Sequence, residues 1–249
     1  MYDFANILFA GPCTARCPFC IGRQIDPRLS VNNLDEFPPR NLDRFVEMIR
    51  EHAIPQVVLT GTTTDPQLYR HEARLLDRLR KRLPSGTQIS LHTNGRLALK
   101  QIDVFNQYDR ACVSFPTFDP LTYEKLMGVR GVPDLAALLE RARIPVKISC
   151  VITADNYAQL SDFLARCHAL GVRRMVLRHL FGDDRSWPLP EQLQPRGAYR
   201  GQLIYDYRGL EVTVWRFEGS ASTSINLFSD GTISQSYLLA ETKSITSNG

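Results

Sequence analysis

Three cysteines close to the start of the chain, Cys13, Cys17 and Cys20 in CTARCPFC, constrain it more than any other feature. They follow the apolar run at 7–10 with the spacing C-x3-C-x2-C. Thiolates so spaced can converge on one face of a tight loop. A cubane iron–sulfur cluster with only three protein ligands keeps one iron open to a small chelating molecule. Structural zinc usually takes four ligands, often as two pairs. Here a fourth would have to come from a distant His or Cys, because no second C-x-x-C occurs. A disulfide framework fits poorly in 249 residues with 6 cysteines and no basic leader in MYDFANILF. The spacing favours a cluster, with zinc as the rival.

At this length the chain can bury one sizeable core as a single domain. It is 43% hydrophobic and 22% charged, with no apolar run long enough to span a membrane. A reducing cytoplasm, where thiolates survive as metal ligands, is the expected compartment. The formal charge of +4 is spread along the sequence. Basic residues at 78–82 alternate with leucine as on a solvated helix face. Nucleic-acid binding gains little from this, and an anionic small substrate fits the charge equally well.

Short β-branched runs at 7–10, 56–60, 88–93, 110–114, 146–152 and 174–180 read as strands. Helical patterns lie between them at 42–51 (after a cap at Asn41), 67–83, 97–106, 121–143 with a break at 128–133, and 157–170 ending at Gly171. Strands alternating with helices imply βαβ units and a parallel sheet. The expected fold is α/β, a partial (β/α)6 TIM-like barrel over residues 1–182. Residues 183–249 form a second part, with an irregular crossover at 181–211 and short strands at 212–217, 225–229 and 232–237. Asp230-Gly231 signals a two-residue hairpin.

In such barrels the chemistry gathers at the carboxyl ends of strands. That rule selects the cysteine loop, Gly61 to Pro66, Thr93-Asn94-Gly95, Ser114, Lys147 and Ser149 on one face of the fifth strand, and Arg178 with His179. Cys112, Cys150 and Cys167 sit among apolar neighbours without metal-like spacing and read as small buried hydrophobes.

On these residues the chain resembles the radical S-adenosylmethionine (SAM) enzymes, over roughly residues 5–182. Within that superfamily YEKLMGVRG and the stretch 144–180 are similar to the cyclic pyranopterin synthase branch of molybdenum-cofactor biosynthesis. They also resemble the SPASM-like peptide-modifying enzymes, which carry a C-terminal cluster-binding extension. The resemblance implies that Cys13, Cys17 and Cys20 ligate a [4Fe–4S] cluster and that SAM chelates the open iron. It places Phe19 against the adenine. Gly61, Thr62 and Thr64 fall in the turn that holds the methionyl end, although Asp65 stands where the family has a shifted Glu. Thr93, Asn94, Ser114, Lys147, Ser149 and Arg178 match positions around SAM, and His179 and Arg178 are substrate-side candidates.

The run INLFSDGTISQSYLL resembles a strand–turn–strand that carries a cysteine in cluster-bearing relatives. Here Ser234 and Ser236 take that neighbourhood, and no cysteine follows Cys167. A single cluster is implied. The Gly-Gly tail of the pyranopterin synthases is also missing, which implies another activity. The implied function is reductive cleavage of SAM to a 5′-deoxyadenosyl radical that abstracts hydrogen from a small organic substrate in cofactor or natural-product biosynthesis. An external donor such as flavodoxin or ferredoxin supplies the electron. Tyr205, Trp215, Asn226 and Tyr237 are expected to close the barrel mouth. Peptide or RNA modification is the alternative, and a non-enzymatic zinc adaptor the competing class.

Overall fold

The computed structural model describes residues 2–183, 185–217 and 219–236. Six strands, β1 (Phe4–Phe9), β2 (Gln56–Gly61), β3 (Gln88–Thr93), β4 (Arg110–Ser114), β5 (Val146–Val151) and β6 (Arg174–Arg178), pair in parallel and in sequence order. Between them run α1 (Leu42–Glu51), α2 (Glu72–Arg82), α3 (Ile102–Phe105), the pair α4 (Pro120–Met127) and α5 (Leu135–Arg141), and α6 (Leu160–Ala169). This is the expected six-unit partial barrel.

Alternation along each strand divides the sheet into two faces. Ile7 and Phe9, Leu59, Leu91, Val113, Ile148 and Leu177 are buried in one core with Leu42, Phe45 and Ile49 of α1, Leu75 and Leu79 of α2, and Phe163 of α6. Each such side chain contributes about 1.5–3 kcal/mol of burial. The opposite, inward face is mixed, with Leu8, Val58 and Val176 beside Asn6, Ser90, His92, Cys112, Lys147 and Ser149. Asn41 does not cap α1: it adopts a left-handed conformation and its amide donates to the Gly231 carbonyl at 2.7 Å. Gly171 ends α6 with φ +79°, as a helix C-terminal glycine should.

The C-terminal part departs from expectation. The supposed irregular crossover contains an antiparallel hairpin of β7 (Gln194–Tyr199) and β8 (Gln202–Tyr207), which continues into β9 (Leu210–Trp215). Pro195 and Gly197 hid it from propensity reasoning. They sit on an edge strand, at a bulge, where proline is tolerated. β9 joins β6 in parallel, while β10 (Ser224–Leu227) joins β1 in parallel from the other side. The extension therefore adds a strand to each side of the six-stranded core. Among the described residues the order is β11-β10-β1-β2-β3-β4-β5-β6-β9-β8-β7. The Asp230-Gly231 pair lies in a five-residue connection, 228–232, between β10 and β11 (Ile233–Ser234), so the turn is longer than the dipeptide suggested.

Two contacts fix the C-terminal strands in place. Arg200, in the β7–β8 turn, forms an ion pair with Asp3 beside β1. The Gln202 amide clasps the backbone of Arg216 from both sides, at 2.7 and 3.1 Å. Of the expected mouth residues, Trp215 lies beside Arg178 at the end of β6, Tyr205 packs on the helix-side core, and Tyr237 falls outside the described residues. Asn226 is fully buried and accepts from Asn6 at 2.7 Å while donating to the Ser234 carbonyl at 3.2 Å. Asn226→Ala strips both partners in a buried setting, so a loss of about 1–3 kcal/mol is expected, read from the urea unfolding midpoint.

Candidate active site

The cysteine loop leaves β1 through Ala10 and Gly11. Ala10 is held by Asn33, whose side chain accepts from its peptide N–H at 3.1 Å and whose own N–H returns a bond to the Ala10 carbonyl. Gly11 has φ +147°, and a β-carbon there would stand 2.7 Å from Asn32 Oδ1. Three neighbours then fix the loop. On one side, the Thr62 N–H and hydroxyl both bond the Phe9 carbonyl, Thr63 accepts from the Gly11 N–H, and Thr64 donates to the Pro12 carbonyl. On another, Asn94 donates to Thr14 Oγ1 at 3.0 Å and to Cys13 Sγ at 3.7 Å. Beneath, Ala15, Tyr123 and Met127 form a small apolar cluster that packs against Cys13 and Cys17. A β-carbon at Gly128 would lie 2.4 Å from the Arg16 carbonyl, so α4 ends in direct backbone contact with the loop.

The thiols feel one another. Burial pushes Cys17 up to about 11, and Cys20 and Cys13 each add to the rise. Burial likewise raises Cys13, with Asp65 and Cys20 contributing. Cys20 donates to the Thr62 carbonyl at 3.4 Å, and Cys17 points at Met127 Sδ, 3.8 Å away. Three partly buried thiols on one loop, two of them raised by burial and by their neighbours, fit a multinuclear cation, which would reverse that penalty. Among the described residues no three His, Cys, Asp or Glu side chains converge on the position of a single metal ion. Three thiols on one loop match a cluster that takes three protein ligands and keeps one iron open. The donor set fits a cluster.

The rim beside the loop is built on Asp65. Its carboxylate is buried and accepts from Thr93 Oγ1 at 2.8 Å, the Asn94 N–H at 2.6 Å and the Gln67 N–H at 3.0 Å. Burial raises its pKa against these three bonds. Gly61 allows the turn between β2 and Asp65, since a β-carbon would lie 1.7 Å from the Thr64 carbonyl. Thr62 thus spends its hydroxyl on the end of β1, and Thr64 spends its own on the cysteine loop. Phe19 is partly buried in that loop. Ser114 is exposed, and Ser149 accepts from Arg178 Nε at 3.0 Å. The Arg178 guanidinium lies 4.7 Å from the Trp215 ring centre, a cation–π distance. His179 is buried, and its peptide N–H donates to the Trp215 carbonyl at 3.0 Å.

Lys147 lies deeper. It shares a register row with His92, Cys112, Arg174 and Glu211, whereas Ser149 pairs with Ser114 in the next inward-facing layer towards the strand ends. Cys112 therefore belongs to the inward face, unlike Cys150 and Cys167, which pack in the helix-side core. Sequence reasoning missed this placement along with Asn33, Asp65 as the rim's hub, and Met127-Gly128 as the loop's support. Strand register, visible as alternation in 110–114 and 146–152, carried the signal for Cys112.

Residues 7–182 match the family model of the Radical SAM superfamily. The chain belongs to that superfamily, which is one of enzymes. None of the curated proteins matches it in sequence. Among solved structures it is similar to SuiB of Streptococcus suis bound to precursor peptide SuiA, with TM-score 0.58 and 18% identity over 72% of this chain and 40% of SuiB. It is also similar to the coproporphyrinogen III oxidase HemN of Escherichia coli, with TM-score 0.51, 16% identity, and 77% and 50% of the two chains covered. Native anSMEcpe with bound AdoMet and Cp18Cys peptide gives TM-score 0.53, 13% identity, and 74% and 53% covered. At these identities the likeness is one of fold. The chain spans 40% of the SuiB chain and about half of the other two.

Behind Asp65, Glu72 is buried in the first turn of α2 and accepts from the Tyr108 hydroxyl at 2.6 Å. Burial raises its pKa to about 7, against the Tyr108 bond and with help from Asp65. A carboxyl protonated more readily in the folded state stabilises the fold fully below its unfolded pKa. That stability is lost as the pH rises through about 7. The loss is on the order of 3 kcal/mol. Urea midpoints taken from pH 4.5 to pH 8 should fall less steeply for Glu72→Gln than for the wild type.

Proposed function

We propose that the chain uses a single [4Fe–4S] cluster, held by Cys13, Cys17 and Cys20, to cleave SAM reductively and take a hydrogen atom from a small organic substrate. The observation that carries this reading is the set of three partly buried thiols on one loop at the carboxyl end of β1, joined through Asn94 to the Asp65 rim. When bound, the cluster and SAM supply the electron transfer and the 5′-deoxyadenosyl radical; everything else falls to the protein.

In this reading Phe19 lies along the adenine. The Gly61–Asp65 turn, kept narrow by the missing β-carbon at Gly61, receives the methionyl end through backbone groups, with Thr62 holding the turn to the end of β1 and Thr64 holding it to the cysteine loop. Thr93 and Asn94 are locked by Asp65 before any ligand arrives, which lowers the ordering cost of binding. Ser114, open to solvent, and the Ser149–Arg178 pair face the ribose and carboxylate. Trp215, stacked on Arg178, and His179 stand on the substrate side. The electron comes from a flavodoxin- or ferredoxin-like donor.

A small-molecule substrate agrees with the similarity of YEKLMGVRG to the pyranopterin synthase branch. A peptide is the second reading, favoured by the fold's likeness to SuiB and anSMEcpe, both solved with peptides bound. After anaerobic reconstitution with iron and sulfide, the wild type should convert SAM to 5′-deoxyadenosine under reducing conditions. Cys17→Ala should lower that yield at least a hundredfold by chromatography; an undiminished yield would remove the cluster assignment.

A further inference from the structure

The inward face of the barrel is charged unevenly. In the register row that crosses β3, β4, β5, β6 and β9, the side chains are His92, Cys112, Lys147, Arg174 and Glu211. Glu211 is the row's only acid, and Arg174 already holds it at 2.9 Å. Arg110, one layer nearer the amino ends of the strands, is satisfied by neutral acceptors, Ser90 Oγ at 3.0 Å and Gln56 Oε1 at 2.6 Å. Lys147 has neither. Among the described residues its ammonium meets no hydrogen-bond acceptor and no carboxylate.

An ammonium recessed in a protein without a counter-ion is costly and is normally paired. The neighbouring Cys112 favours the charged lysine, but burial and the guanidiniums of Arg178, Arg174 and Arg110 outweigh it and draw the pKa of Lys147 down. Burial first, then Lys147, Arg178 and Arg110, hold His92 neutral by lowering its pKa to about 3. A neutral imidazole still has one N–H to donate. Cations gathered around a lysine that lacks a partner ask for an anion from outside the chain. Its depth separates this place from the rim: Lys147 is one inward-facing layer below Ser114 and Ser149, and the cysteine loop and Asp65 lie at the carboxyl ends of the strands.

We propose that Lys147, with His92 two strands away in its register row and Arg110 one layer below, is the seat for an anionic group of the substrate, a carboxylate or a phosphate. The inference rests on the reading that SAM occupies the rim, and it narrows the substrate to an acidic molecule whose charged end reaches down the lumen. With that end anchored on β5, the opposite end of the substrate is directed towards the cysteine loop. A fixed anchor of this kind supplies orientation, which in a radical reaction decides which hydrogen is taken.

The test is calorimetric titration of the intact protein with inorganic pyrophosphate and, separately, with succinate, each with and without SAM. Binding of either probe is expected, and which one binds tells a phosphorylated substrate from a carboxylate. Lys147→Met should weaken that binding at least tenfold, Lys147→Arg should largely restore it, and probe and SAM should occupy the wild type together. The proposal is overturned if neither probe binds or if Lys147→Met binds like the wild type. It is equally overturned if the probe and SAM displace each other, which would give the lysine to the cofactor's carboxylate. Should the methionine variant fail to fold, co-binding to the wild type decides alone. The formation of 5′-deoxyadenosine by the wild type is scored independently, so failure of the rim reading is told apart from failure of the anion seat.

Discussion

Asp65 accepts three hydrogen bonds from groups that would otherwise be free to move apart: the Gln67 N–H after β2, and the Thr93 hydroxyl and Asn94 N–H after β3. Asn94 in turn reaches Cys13 and Thr14 in the cysteine loop. One buried carboxylate thus sets the relative height of two strand ends and, through a single asparagine, the position of a thiol. Replacing its oxygens leaves several buried donors unsatisfied at about 1–3 kcal/mol each. The turn that delivers Asp65 depends on Gly61, and the three threonines between them tie that turn back to Phe9, Gly11 and Pro12. The cysteine loop is therefore held in place by hydrogen bonds from its neighbours.

The electrostatics follow the same architecture. Acidic and thiol groups gather at the carboxyl end of the barrel, where Cys13 senses both Asp65 and Cys20. The basic groups lie further down, where burial and nearby guanidiniums lower Lys147 and Arg110, and burial with Lys147, Arg178 and Arg110 lowers His92. This polarity suits a cationic cluster at the rim and an anion below it. It explains why a chain of modest net charge can present a locally basic lumen: its surface charges are largely spent in exposed pairs such as Arg44–Glu51 and Lys81–Asp77, which contribute little to stability.

Much of this was legible in the sequence, because parallel strands buried on one face and helices with periodic leucines leave strong patterns. β3, β4 and α1 begin and end where the sequence places them. The C-terminal hairpin of β7 and β8 was not legible, since Pro195 and Gly197 contradict strand propensity and are tolerated only because β7 is an edge strand. Asn41 looked like a helix cap, but a tertiary partner, the Gly231 carbonyl 190 residues away, claimed its side chain. Cys112 looked like a core residue because its neighbours are apolar. Only the register, which sets it between His92 and Lys147, shows that it faces the lumen. The cysteine spacing announced a metal-type site and the strand-end rule picked out Asp65 and Asn94, whereas the support from Asn33 and Gly128 exists only in three dimensions.

The central claim is that the three thiols hold a cluster with one iron left for SAM. Electron paramagnetic resonance of the anaerobically reconstituted, dithionite-reduced chain, recorded with and without SAM, tests it most directly. The account predicts a reduced [4Fe–4S] signal whose shape changes when SAM is added. A reconstituted chain that takes up stoichiometric zinc but no iron, or a cluster signal indifferent to SAM, would contradict it.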